Sequence, residues 1–252
     1  MKKIIFLLVL LNLAASALGQ VTYQHLLEAD REPGNWLTYS GSYNSQRHSR
    51  LEQINRDNVS ELEMKWAFQM RTLEDVETSP LVVDGIMYLT EPPSNAHAVD
   101  TRTGRTFWSY TRELPDETHT CCGQVNRGLA MLGEKLYLGT VDAYLVALDS
   151  KTGSVLWEVE VADRLAGYSI TVAPLVVKDK VIVGVSGGEF GIRGFLDAYD
   201  AETGKRVWRF YTVPAPGEPG HDTWEGDDWK TGGAPTWITG SFDPALNLIY
   251  WG

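Results

Sequence analysis

The chain has 252 residues, with 22 basic against 33 acidic side chains and a net charge of −11. This acidity argues against nucleic acid or an anionic membrane surface as partner. The length is enough for one domain with a substantial core.

The N-terminus reads Met1-Lys2-Lys3, then an apolar run from Ile4 to Leu13, then small residues up to Gly19. Charge, length and small-residue cleavage site together predict an export leader over residues 1–19. The apolar run is too short to span a bilayer, and no later segment is long enough to be a transmembrane helix. Residues 20–252, more acidic still without the leader's two lysines, are expected to form a soluble exported protein, with the bacterial periplasm as its compartment.

From Trp36 onward two patterns alternate. The first is an eleven-residue unit with fixed Ala, Asp, Thr, Gly and Trp. It occurs at Ala98, Asp100, Thr103, Gly104 and Trp108, at Ala147, Asp149, Thr152, Gly153 and Trp157, and at Ala198, Asp200, Thr203, Gly204 and Trp208. Asp-x-x-Thr-Gly is a turn: the carboxylate can accept backbone amides ahead of it, and glycine supplies a positive φ without steric cost. The flanking residues make the unit a hairpin. An ordinary hairpin with a core tryptophan accounts for one copy but not for three with the same internal spacing. A Trp at one fixed place and small residues at two others predict contact between units, the indole of one lying on the Ala and Gly of the next.

The second pattern is a pair of short apolar runs joined by a polar turn: residues 79–90, 128–139, 173–184 and, more loosely, 242–251. Together the two patterns give four strands per unit and a repeat of about 50 residues, which predicts an all-β propeller. About four blades fit between Trp36 and Gly252. A closed ring of this repeat needs more, so the chain is expected to be the N-terminal part of a longer protein. With open blade faces it is expected to be aggregation-prone and inactive when made alone. One long stretch, residues 213–235, rich in Pro, Gly, Trp and Asp, interrupts the pattern and reads as a functional loop.

The two cysteines are adjacent, Cys121 and Cys122. Such a pair can close an eight-membered disulfide ring, which an oxidising compartment favours; the alternative is two unrelated buried thiols. No Cys-x-x-Cys-His occurs, so no c-type haem is attached within this sequence. His25, His48, His97, His119 and His221 show no metal-ligand spacing and read as structural or exposed.

The stretch Cys121-Cys122-Gly123-Gln124-Val125-Asn126-Arg127-Gly128 resembles the same region of the pyrroloquinoline quinone (PQQ) dependent alcohol dehydrogenases, the group that includes methanol dehydrogenase. The eleven-residue unit is similar to that family's tryptophan-docking motif, and the resemblance extends from Trp36 to Gly252. It implies an eight-bladed propeller with the cofactor on its axis, between a vicinal disulfide and a tryptophan ring. Residue by residue, it implies that Cys121 and Cys122 form that disulfide and that Trp237 is that tryptophan. Glu77, Arg127, Thr171 and Ser186, with Gly187 and Gly188 in the Ser-Gly-Gly-Glu turn, match the family's cofactor contacts, and Glu189 matches its first metal ligand. A second metal ligand and the catalytic aspartate are expected beyond Gly252, so no catalytic base is assigned.

These residue types suit that chemistry. PQQ is a flat tricarboxylate with an ortho-quinone; it needs two flat walls, cationic and hydroxyl donors, and a hard cation such as Ca²⁺ or a lanthanide, for which Glu189 is a suitable oxygen ligand. The resemblance implies oxidation of a small primary alcohol to the aldehyde, with electrons passed to a cytochrome c, separate or fused. Two other readings exist: a cofactor-free propeller scaffold of the outer-membrane assembly type, and a PQQ-dependent sugar or polyol dehydrogenase. Each of the residues alone is consistent with a plain structural role; the scaffold has no use for the whole set.

Overall fold

A computed structural model describes residues 21–118 and 120–252. The expected leader and His119 lie outside the described residues. The described residues fold into three complete four-stranded antiparallel sheets and one two-stranded sheet. The first sheet contains β1 (Leu81–Val83), β2 (Ile86–Glu91), β3 (Asn95–Asp100) and β4 (Thr106–Tyr110). The second contains β5 (Ala130–Leu132), β6 (Lys135–Gly139), β7 (Tyr144–Asp149) and β8 (Val155–Glu160), and the third β9 (Leu175–Val177), β10 (Lys180–Gly184), β11 (Phe195–Asp200) and β12 (Arg206–Tyr211). β13 (Ser241–Asp243) and β14 (Leu248–Tyr250) form the last pair. Each full sheet is an up-and-down meander in chain order, a propeller blade. The count of about four blades thus resolves into three complete blades and one hairpin.

Burial explains the sequence pattern. The middle strands of each blade are covered on both faces, so β6, β7, β10 and β11 are almost wholly buried; β6, β7 and β10 read as near-continuous apolar runs, and β11 is interrupted by the buried Asp197. The outer strands β4, β8 and β12 are largely exposed, with Trp the recurrent large residue in them. Ala98, Ala147 and Ala198 pair across the strands with Trp108, Trp157 and Trp208, each followed by a register shift.

The eleven-residue unit docks through its glycine, while its alanine pairs with the tryptophan of its own blade. Asp149 Oδ1 accepts from the amides of Lys151 and Thr152 and from the Thr152 hydroxyl, at 2.8–3.0 Å. Asp200 caps its turn through Thr203 in the same way. The turn glycines Gly104, Gly153 and Gly204 all have φ near +70°. A Cβ on Gly153 would lie 2.5 Å from the Trp108 ring, and one on Gly204 would lie 2.7 Å from the Trp157 ring. Glycine is therefore needed twice over, for the turn and for the indole of the preceding blade. Trp108 Nε1 also donates to Ser150 O at 2.9 Å.

Two framework features carried no sequence signal. Trp66 occupies the same place against Gly104 and donates to Thr101 O at 2.9 Å, although no Ala-Asp-Thr-Gly unit precedes it. Residues 21–43 form a strap across the first strands of successive blades. Val21 exchanges backbone bonds with Gly133, and Trp36 with Val82; the Tyr43 hydroxyl donates to Val176 O, and its ring meets Phe242 edge-on at 5.2 Å. Leu26 and Leu37 of this strap belong to the buried core. Among the described residues no helix is long and apolar enough to cross a membrane.

Candidate functional site

The segments leading into the first strands of the blades converge. Glu77, Thr171 and Trp237 each stand four residues before such a strand, and Arg127 stands three before β5. Backbone bonds tie these segments side by side: Ser79 N donates to Arg127 O, and Arg127 N to Thr171 O, at 3.0 and 3.1 Å. The Thr239 hydroxyl closes the series on Ala173 O at 2.7 Å. Repetition of the blade is thus what gathers residues far apart in sequence.

Arg127 is the centre of this ring. It is 9% exposed, its Nη2 lies 2.5 Å from Glu77 Oε2, and its Nη1 donates to Thr171 O. Its guanidinium sits 4.8 Å from the centroid of the Trp237 ring. Buried Asn126 holds the backbone on either side: its amide donates to Gly139 O and its Oδ1 accepts from Gly128 N. A guanidinium has five N–H donors; two have these protein partners, and the head still faces a cavity.

The remaining wall comes from the connection between β10 and β11. In the first two blades the corresponding link is short, 92–94 and 140–143, but here it runs over 185–194. Ser186 exchanges two backbone bonds with Ser169, and its hydroxyl lies 2.7 Å from that of Thr171. Gly187 has φ +116°, and a Cβ there would fall 2.0 Å from Gly167 O, so the turn accepts only glycine. Gly188 packs against Pro235. The chain then turns and leaves Glu189 exposed.

Between these parts lies a cavity of about 170 Å³, lined by Cys121, Cys122, Arg127, Thr171, Ser186, Gly187, Glu189 and Trp237 among others. Glu77 adjoins it through Arg127, and Gly188 through Pro235. The residues matched to cofactor and metal contacts in the sequence therefore come to one place. Cys121 and Cys122 are joined to each other in a disulfide. Their sulfurs and a Glu189 carboxylate oxygen lie within 4.8 Å of one another. A disulfide offers no thiolate, so the hard donor in that group is Glu189 alone, one of the six to eight oxygens that a calcium-like ion takes.

Sequence reasoning missed Asn126, Ser169, Pro235 and Thr236. Thr236, 4% exposed, donates to Phe195 O and accepts from Val185 N, tying the Trp237 segment to both ends of the β10–β11 link. None of the four stands out by type or spacing.

The fit to a flat polyanion can be judged from these atoms. Trp237 is 43% exposed and the disulfide is exposed, so two apolar surfaces are presented to the cavity. A buried cation and two hydroxyls lie beside them. That combination of apolar walls and convergent polar groups matches a planar acidic ligand.

The family profile for the PQQ-type glucose/ethanol/alcohol dehydrogenase β-propeller domain matches residues 36–252. The chain is 43% identical to the quinohemoprotein alcohol dehydrogenase ADH-IIG of Pseudomonas putida, over 95% of this chain and 35% of that protein. It is 42% identical to the lanthanide-dependent methanol dehydrogenase of Methylacidiphilum fumariolicum strain SolV, over 90% of this chain and 41% of that one. Among solved structures, a europium-containing methanol dehydrogenase superposes with a TM-score of 0.86 at 41% identity, covering 91% of this chain and 44% of the other. The chain spans roughly a third to two fifths of the length of these curated relatives.

Proposed function

The chain belongs to the PQQ-dependent glucose/ethanol/alcohol dehydrogenase propeller family, and from that premise we propose that it forms the cofactor-binding part of a quinoprotein oxidising primary alcohols to aldehydes. The observation that carries this reading is the convergence of the Cys121–Cys122 disulfide, Arg127 and Trp237 on one cavity. Arg127, Thr171 and Ser186 would hold the cofactor's carboxylates and quinone oxygens, Glu77 would orient Arg127, and the disulfide and the Trp237 ring would cover its faces. Glu189 would contribute one oxygen to a Ca²⁺ or lanthanide ion. When bound, PQQ supplies a two-electron acceptor and the cation a Lewis acid.

What the chain's own residues do is bind and orient. The Glu77 carboxylate fixes one edge of the Arg127 fork and Thr171 O takes one Nη1 donor, which leaves the remaining N–H groups for an anionic partner. The Thr171–Ser186 hydroxyl pair can donate outward from either oxygen, because either can be the internal donor. Residues 20–252 are read as an N-terminal portion of the propeller, exported through residues 1–19 to an oxidising periplasm, where the vicinal disulfide persists. A cytochrome c is the proposed electron acceptor.

The test is to purify the protein as its cells make it, with PQQ and Ca²⁺ or La³⁺ supplied, and to measure bound PQQ and alcohol-dependent dye reduction. We expect stoichiometric PQQ in the parent and its loss in Arg127→Ala. A folded protein that takes up no PQQ with either metal would overturn the reading in favour of a cofactor-free scaffold.

A further inference from the structure

Two stretches wall the cavity on the side of the third blade: the 185–194 link, which bears Ser186 and Glu189, and the end of the 213–235 loop, which runs into Trp237. They are threaded together. Gly194 N donates to Gly233 O at 2.7 Å, Gly233 N to Ile192 O at 2.8 Å, and Thr236 N to Val185 O at 2.8 Å. Arg193 carries its side chain from this zipper into the body of the 213–235 loop.

Its side chain is 13% exposed. The guanidinium lies between two aromatic rings, 3.8 Å from the Tyr211 centroid and 4.8 Å from the Trp229 centroid. Nε donates to Val213 O at 2.8 Å, and Nη2 reaches Glu218 at 3.3 Å. Its main chain exchanges bonds with the Tyr168 hydroxyl. Arg193 therefore touches the start of the loop at Val213, its middle at Glu218 and its far limb at Trp229, from a backbone position four residues after Glu189. A planar guanidinium can stack on two rings and donate in its plane at once, which an ammonium cannot.

We propose that Arg193 is a positioning residue that couples the Glu189-bearing link to the loop leading into Trp237, so that the two walls of the cavity are set as one unit. Nothing in the sequence motif marks it, and it does not line the cavity. The inference rests on the PQQ reading for its consequence, but not for the coupling itself.

Hydrogen exchange on the cofactor-free full-length protein tests the coupling directly. In Arg193→Ala we expect faster exchange at residues 184–189 and 233–237, with residues 135–149 of the second blade and the global unfolding midpoint near those of the parent. Equilibrium binding of PQQ with Ca²⁺ should weaken by about 10- to 100-fold, the range seen when the groups that orient ligating residues are lost. Arg193→Lys should fall between, since it keeps the charge without the fork. Trp229→Ala, a change at a partly exposed ring, should give a smaller effect of the same pattern and decides the matter if Arg193→Ala does not fold. Unchanged exchange at both segments in a folded Arg193→Ala or Trp229→Ala protein would overturn the coupling. If the parent binds no PQQ while exchange still rises in both segments, the cofactor reading fails and the coupling stands.

Discussion

The first two blades and the third blade's loops obey different rules. Blades one and two join their second and third strands through 92–94 and 140–143, and their recurrent residues cap turns or dock indoles. In the third blade the same connection runs over 185–194, the next connection is the 213–235 loop, and both turn toward the cavity. The strands of the third blade remain regular. The lesson is that the repeat builds a rigid frame whose equivalent corners converge, and that function is added where connections are lengthened without disturbing the strands, at 185–194 and also at 111–129, which bears the disulfide and Arg127.

If the frame and the site are separable in this way, substitutions should sort into two groups. The largest effect should come from the frame. Asp197 is fully buried, receives a two-pronged bond from Arg209 at 2.7 Å and accepts from the Tyr199 hydroxyl. Asp197→Ala leaves the partly buried guanidinium without its carboxylate, holding only Val161 O, and we expect a loss of about 3 kcal/mol in unfolding free energy by denaturant titration, the low end for breaking a buried ion pair. A loss below a tenth of that would mean that water reaches Arg209 and that the blade is looser than its packing indicates.

Two tryptophans give the sharpest contrast. Trp108 lies on Gly153 and bonds Ser150 O, whereas Trp237 is 43% exposed in the cavity. Trp108→Ala should cost about 3 kcal/mol, the low end for removing a large aromatic that is only partly buried. Trp237→Ala should leave the unfolding midpoint unchanged and abolish retention of PQQ. The comparison breaks if Trp237→Ala destabilises the protein as much as Trp108→Ala does.

Gly187→Ala tests the lengthened connection alone. Its φ of +116° and the contact with Gly167 O force the link to move. We expect about 1–3 kcal/mol of strain, relieved by displacement of Ser186 and Glu189, with metal-dependent retention of PQQ lost and the blade amides still protected from exchange. Normal metal content in this variant would show that the turn does not set Glu189.

The frame was legible because its physics repeats. Asp100, Asp149 and Asp200 cap equivalent turns, and three glycines take three indoles, so three copies announce one rule. The site residues were legible only as a set matching a known family; Thr171 or Glu77 alone resembles any polar residue before a strand. Trp66 was hidden because it docks without the rest of the unit. The strap of residues 21–43 was hidden because its contacts are to strands far along the chain, as with Tyr43 on Val176, and periodicity reports only local partners. Arg193 and Thr236 were hidden for the same reason: their importance lies in which carbonyls and rings meet them, which no spacing encodes.

The smallest effect concerns the turns themselves and the charge that they hold. The Asp100 carboxyl is kept below its usual range, chiefly by the amide of Arg102, and the Asp200 carboxyl by the hydroxyl and amide of Thr203. A carboxylate whose folded-state pKa is depressed contributes stability above its unfolded value of about 3.9 and loses it as pH falls through the folded value. Asp200→Asn keeps an acceptor for Thr203 but removes the charge. The variant should therefore be slightly less stable than the parent at neutral pH, and the gap should close as the pH is lowered below about 4. Thermal unfolding of both proteins from pH 7 to pH 3 measures this. Asp100→Asn should behave alike, because its turn has the same backbone bonds, Gly104 N to Asp100 O and Asp100 N to Arg105 O, as the Asp200 turn. A gap that stays constant over the whole range would mean that hydrogen-bond geometry, not charge, holds the turn, and one that widens in acid would contradict the depressed pKa outright. Either result would also separate the turns from the cavity, since neither aspartate lines it and PQQ retention should be the same in both variants as in the parent.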